Sequence, residues 1–112
     1  MDDEEKESVY SEFNTCVNMA PRELEDWLET DQSQAVGDTG GEGESTGHKS
    51  GRRIVEIKRA RKADLTDQDY EHMRKVVGYA HRHLKQRPAG DIEDTKWRFS
   101  LMNWGHDPLK GH

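Results

Sequence analysis

Residues 65–87, LTDQDYEHMRKVVGYAHRHLKQR, decide how the rest of the chain is read. The stretch carries a complete helix start. Thr66 can cap the first turn, Asp69 stands at the third helical position to close a capping box, and Leu65 faces Tyr70 as a hydrophobic staple. At about 100° per residue, Tyr70, Met73, Val76, Val77, Ala80 and Leu84 fall within an arc of about 120°, the width of a core-facing stripe. The next arc holds Arg74, Lys75, His81, Arg82 and Lys85, interrupted by Glu71 and Gly78. Pro88 and Gly90 end the helix, because proline cannot continue it and glycine suits the turn that follows. An amphipathic helix with one apolar and one basic face is expected here.

The chain has 112 residues, 30% hydrophobic and 36% charged, enough for one domain with a small core. Cys16 is its single cysteine, which excludes an internal disulfide and fits packing on an apolar face in a reducing compartment. The start, MDDEEKESVY, is acidic, and no apolar run approaches signal-peptide or membrane-spanning length. No membrane association is expected, and a cytoplasmic location is, or a nuclear one in a eukaryote.

A net charge of -6 conceals a sharp division. Residues 1–44 hold 14 acids and two bases (-12), residues 45–90 hold 12 bases and five acids (+7), and residues 91–112 hold three bases and four acids (-1). Such asymmetry means that the basic middle meets an anion, either the chain's own acidic segment or an outside polyanion. In a salt-loving host, part of the acid excess would serve solvation alone.

Residues 1–4 read as a disordered acidic start. Over residues 5–17, Val9, Phe13, Cys16 and Val17 recur at helical spacing, behind leading acids that the helix macrodipole favours. Pro21 opens a second helix to about Thr30, with Leu24, Trp27 and Leu28 inward. Periodicity disappears over residues 31–51, and six of the ten glycines lie from Gly37 to Gly51. That segment reads as a mobile Gly-rich loop inside one helical domain spanning residues 5–110, with 111–112 as a tail. Its run GGEGESTGHKSG lacks phosphate-loop spacing, since His48 separates Gly47 from Lys49.

A third helix is expected over residues 52–62, RRIVEIKRARK, basic nearly all the way round. Ile54 and Ile57 point inward, Val55 stands off that stripe, and Arg61 lays its stem on the core. A three-residue break to the long helix predicts a tight helical pair. The last helix, residues 91–105, has Trp97, Leu101 and Trp104 on one face and Ile92, Phe99 and Met102 on nearly the opposite one. It is therefore either sandwiched in the core or shared with a second copy as a homodimer. The tail HDPLKGH frays unless docked. The predicted fold is all-α, a small bundle of about five helices with a Gly-rich loop between the second and third.

Arg52, Arg53, Lys58, Arg59 and Lys62 on one helix, with Arg74, Lys75, Arg82 and Lys85 on the next, are enough cations to follow a phosphate backbone. Arginine's planar fork suits phosphate oxygens. The pattern predicts a small non-catalytic nucleic-acid-binding protein, for DNA or RNA, with low sequence specificity. The alternative is a protein-interaction or self-associating module whose basic face is paired with its own acidic N-terminal segment. Gly78 implies a close approach, by a crossing helix or by a nucleic-acid backbone. KWRF at residues 96–99 interleaves bases and aromatics as single-strand binders do, but so apolar-poor a chain needs Trp97 and Trp104 for its core.

His81 and His83 lie two apart on a helix, about 200° round the wheel, and cannot share an ion. No C-x2-C or H-x3-H spacing occurs, so neither a metal nor a cofactor is expected. His72, His81 and His83 read as partly exposed groups that charge below about pH 6.5. Nothing sets Cys16 or a serine beside a base and an orienting acid, so no catalytic residue is named.

The segments NMAPRELEDWLETDQSQAVG, GHKSGRRIVEIKRARKADLT, DYEHMRKVVGYAHRHLKQRP and DTKWRFSLMNWGHDPLK resemble the family catalogued as domain of unknown function 3140, some of whose members carry a DNA-binding label. The likeness runs from about residue 13 to 110 of this sequence. It implies no catalytic residue and no cofactor.

Overall fold

The acidic and basic parts of the chain interleave. A computed structural model describes residues 1–36 and 46–110. It places six α-helices among them: α1 (Asp3–Cys16), α2 (Pro21–Leu28), α3 (Asp31–Ala35), α4 (Thr46–Arg59), α5 (Asp67–Leu84) and α6 (Lys96–Asn103), with a 3-10 turn at Lys62–Asp64. The fold is all-α, and the described residues contain no strand. Acidic α1 packs along α5, acidic α2 packs along basic α4, and α6 lies among α2, α3, α4 and α5.

The caps explain the boundaries. The Asp2 carboxylate accepts the Glu5 N–H at 2.8 Å, so α1 begins at Asp3 where a disordered start was expected. Thr66 and Asp69 form the expected capping box: the Thr66 N–H donates to Asp69 at 2.9 Å and the Asp69 N–H donates to Thr66 Oγ1 at 3.2 Å. Thr95 rather than Asp91 caps α6, accepting the Arg98 N–H at 3.1 Å, which leaves Ile92 buried in the turn before it. Gly105 has a φ of 83°, the left-handed turn after α6 that glycine adopts without strain.

The expected mobile loop over residues 31–51 is corrected at both ends. Thr30 caps α3, and the Ser33 hydroxyl donates to Asn103 Oδ1 at 2.6 Å, fixing that short helix to α6. At the other end α4 starts at Thr46, six residues before the expected position. Gly47 and Gly51 are helical contact points. A Cβ on Gly51 would lie 2.6 Å from the Asn103 carbonyl oxygen and 2.7 Å from a Leu28 methyl, so only glycine lets α4 approach α2 and α6 this closely. The remainder of the expected loop, residues 37–45, lies outside the described residues, as does the tail at 111–112.

Inward residues mostly match the periodicity. Phe13, Leu24, Ile54, Met73, Val76 and Leu101 are fully buried, and Tyr70, Val77 and Ala80 join them from the apolar stripe of α5. Two expectations on α4 fail: Val55 is buried, and Arg61 lies past the end of the helix, 84% exposed and paired with Asp64. The tight pair of basic helices is also absent, since α4 and α5 touch only lightly. Their contact carries one ion pair, Arg53 with Asp69, and each helix lies mainly along an acidic one. Leu101, Met102 and Trp104 are buried within the chain, with Trp97 and Phe99 half-buried against the same core, so α6 is sandwiched. Cys16 is 8% exposed, and burial pushes its thiol up to about 11, as a packing residue requires.

The segment after α6 is docked. Arg98 donates to Asp107 through Nε at 3.1 Å and Nη2 at 3.0 Å, while the Asn18 side chain accepts the Asp107 N–H and donates to its carbonyl. Burial alone would raise the Asp107 carboxyl, but hydrogen bonds from Arg98 and the Leu109 N–H, with the Arg98 charge, carry it below its ordinary value.

Three stability outcomes follow, all measurable by urea denaturation. Gly51→Ala is expected to lose about 1–3 kcal/mol, because the new methyl meets backbone and packed side chain. Gly78→Ala, whose methyl would meet only the Arg82 guanidinium, is expected to gain up to about 1 kcal/mol from helix propensity. The depressed Asp107 carboxyl contributes stability above its unfolded pKa and loses it as pH falls through the lower folded value. Asp107→Asn is therefore expected to be less stable at pH 7 and to show a shallower fall in acid.

Candidate functional site

The basic residues divide into a set that holds the fold together and a set that faces outward. On the α2–α4 seam, Arg59 donates through two nitrogens to Glu25, at 2.7 and 3.0 Å. This bidentate bond lowers the Glu25 carboxyl and raises the guanidinium. Lys58 donates to Asn14 at 3.1 Å and lies over the Phe13 ring, and burial of the chain lowers its amine. On the α1–α5 seam, Arg74 meets Glu5 at 3.1 Å, and the Lys6 ammonium answers Asp67 at 3.1 Å in the reverse sense. Lys62, just past α4, bonds Glu7 and lies over the Tyr10 ring. Arg52 is exposed and also has a partner.

Of the nine cations picked out for phosphate contact, Lys75, Arg82 and Lys85 remain exposed with no ion pair among the described residues. They share the outer side of α5, at about 140°, 120° and 60° round the wheel from the buried Tyr70. Glu71 lies among them. Gly78 sits on this same face, and what approaches it is the Arg82 side chain from the next turn, so neither the crossing helix nor an open backbone slot is found there.

Arg53 links this ridge to a second feature. It pairs with Asp69 at 2.8 Å and lines a cleft of about 250 Å3 together with Lys49, Ser50, His72, Lys75 and Trp104. A hydrogen bond of 3.0 Å joins Ser50 Oγ to His72 Nε2. Burial, with the nearby charges of Arg53 and Lys75, lowers the His72 pKa, so the ring is neutral at pH 7 and does not titrate as an exposed histidine would. Ser50 is 2% exposed, and no described carboxylate bonds the ring to complete a nucleophile's relay. The bond fixes the imidazole at the cleft wall.

Behind the cleft runs a series of near-parallel rings. His72 stacks on Trp104, Trp104 on Tyr79 at 4.2 Å between centroids, Tyr79 on His83, and His83 on Trp97. Trp97 also donates its indole N–H to the His83 carbonyl, and Arg87 lies over its ring. The rings of KWRF are therefore engaged within the chain: Trp97 on His83 and Phe99 against Trp27. Among the described residues no group of three or more His, Cys, Asp or Glu side chains could hold a metal ion.

Reading the sequence missed Lys49, Ser50 and Trp104 as neighbours of the basic helices. The signal was present. Once α4 begins at Thr46, Lys49 and Arg53 stand four apart on one face, and His72 and Lys75 stand three apart on the facing helix.

No curated protein and no solved structure matches the chain. Residues 12–102 of the 112 match the model of the family described as "Protein of unknown function (DUF3140)", and a match over so much of its length means that the chain belongs to that family.

Proposed function

We propose that the chain is a small non-catalytic protein that binds nucleic acid through phosphate contacts from one narrow cationic face. Support comes from where the cations outside the inter-helix ion pairs lie: Lys75, Arg82 and Lys85 follow the outer side of α5, and Lys49 continues that surface across the cleft, beside the Arg53–Asp69 pair. From Lys75 to Lys85 the helix rises about 15 Å, enough to meet two or three successive phosphates. The acids that weigh against duplex binding at the level of net charge are partly compensated on the flanks, Glu5 by Arg74, Glu7 by Lys62 and Glu25 by Arg59. Phosphate contacts carry no base information, so sequence specificity is low.

Those same ion pairs favour a second reading. They use four of the nine selected cations, counting Arg53 with Asp69, to bind the chain to itself. A protein-interaction or self-associating module would then present the remaining cations to an acidic surface.

Anisotropy of labelled duplex and single-stranded DNA at several salt concentrations separates the two. About three to five contacts predict a log–log slope of about -3 to -4.5 on duplex. Replacing Lys75, Arg82 and Lys85 together by Glu is expected to abolish binding with an unchanged circular dichroism spectrum and melting temperature. Arg59→Glu is expected to lower the melting temperature and leave DNA binding in place. If the wild type fails to bind at low salt and instead self-associates in light scattering, the interaction module takes the place of the nucleic-acid protein.

A further inference from the structure

The cleft between α4 and α5 differs from the α5 ridge in shape and in charge. Its lining brings Lys49, Arg53 and Lys75 to one concavity from two helices, with the Ser50 hydroxyl and the His72 ring in the wall and Trp104 at its side. The carboxylate at this site is Asp69, bonded to Arg53 at 2.8 Å. Among the described residues, three cations against one carboxylate give the concavity an excess of two positive charges while His72 is neutral. A phosphodiester carries one negative charge, whereas a phosphomonoester near neutral pH carries nearly two and offers three acceptor oxygens. The volume of about 250 Å3 holds such a group with part of its water shell.

We propose that this cleft binds a phosphomonoester dianion, supplied by the 5′-phosphate end of a nucleic-acid strand or by a small phosphorylated molecule. The proposal deepens the nucleic-acid reading, on whose cationic face the cleft lies. Lys49 and Lys75 supply charge from opposite walls, and Arg53, oriented by Asp69, presents its guanidinium nitrogens to the phosphate oxygens. The Ser50–His72 bond sets the imidazole beside the group. His72 is faced by Ser50 and Arg53 from α4, by Asp69 and Lys75 on its own helix, and by Trp104 beyond α6. A bound dianion offsets the two cations that disfavour its protonation and raises its pKa.

The test is an NMR titration of the full chain with inorganic phosphate at constant ionic strength, following the His72 ring and the Trp104 indole. Phosphate is expected to shift both and to raise the His72 pKa, whereas chloride at equal ionic strength does neither. Lys49→Gln and Lys75→Gln are each expected to weaken phosphate binding about tenfold, and Arg61→Gln, on an exposed side chain elsewhere, to leave it unchanged. Competition by a 5′-phosphorylated oligonucleotide but not by its unphosphorylated twin assigns the group to a strand end. Phosphate binding without such competition assigns it to a small molecule. Absence of a phosphate-specific shift, or a shift that survives in the Lys49→Gln, Lys75→Gln double variant, overturns the site, whatever the outcome of the DNA titration.

Discussion

Charge compensation between neighbouring helices is the constraint on which the structure depends. α4 carries five lysines and arginines against one acid, while α5 carries three of each with Lys75 and Arg82 on its outer side, so the uncompensated charge lies chiefly on α4. Each is laid along an acidic helix, where apolar burial and opposite charge act together. Arg59 with Glu25 and Arg74 with Glu5 mark the two seams, and Lys6 with Asp67 reverses the polarity on the second, so that register as well as proximity is specified. Exposed pairs of this kind add little stability singly. Their weight lies in fixing which helix lies along which.

The interior has a polar junction of its own. Asn103, 1% exposed, accepts from the Trp27 indole at 2.8 Å and the Ser33 hydroxyl at 2.6 Å, and donates to the Ser33 carbonyl at 3.1 Å. Its own carbonyl faces Gly51. One side chain and one carbonyl thus align α2, α3, α4 and α6, and a poorly placed helix would leave buried polar atoms unpaired, which costs far more than a bond gains. Among the described residues, no buried side-chain nitrogen or oxygen lacks a partner.

Much of this was legible in the sequence where local pattern governs. The capping box at Thr66, the apolar stripe of α5, the opening of α2 at Pro21 and the inward Ile54 and Ile57 all follow from spacing that one helix imposes on its own residues. What failed was tertiary. Gly47 and Gly51 read as loop residues because glycine is a poor helix former, and only the crossing of α6 and Leu28 explains their place inside α4. Arg61 was assigned to a face that the helix ends too soon to possess. The nine cations stand in the segment where bases outnumber acids, residues 45–90. Which of them turn inward depended on the positions of Glu5, Glu7 and Glu25, set by packing that no single segment encodes.

The docking of Asp107 onto Asn18 has a consequence for how the chain is made. The last turn of α1 and the strand of backbone after it receive partners from 89 and 90 positions away, Asn18 from Asp107 and the Cys16 carbonyl from the His106 ring. On the ribosome the end of α1 emerges 89 and 90 residues ahead of these partners, and it cannot be closed off until they follow. Until then Phe13, Cys16 and Val17 present an uncovered apolar end, the kind of surface on which chaperones act, and contacts so distant in sequence are slow to form because the intervening loop must close first.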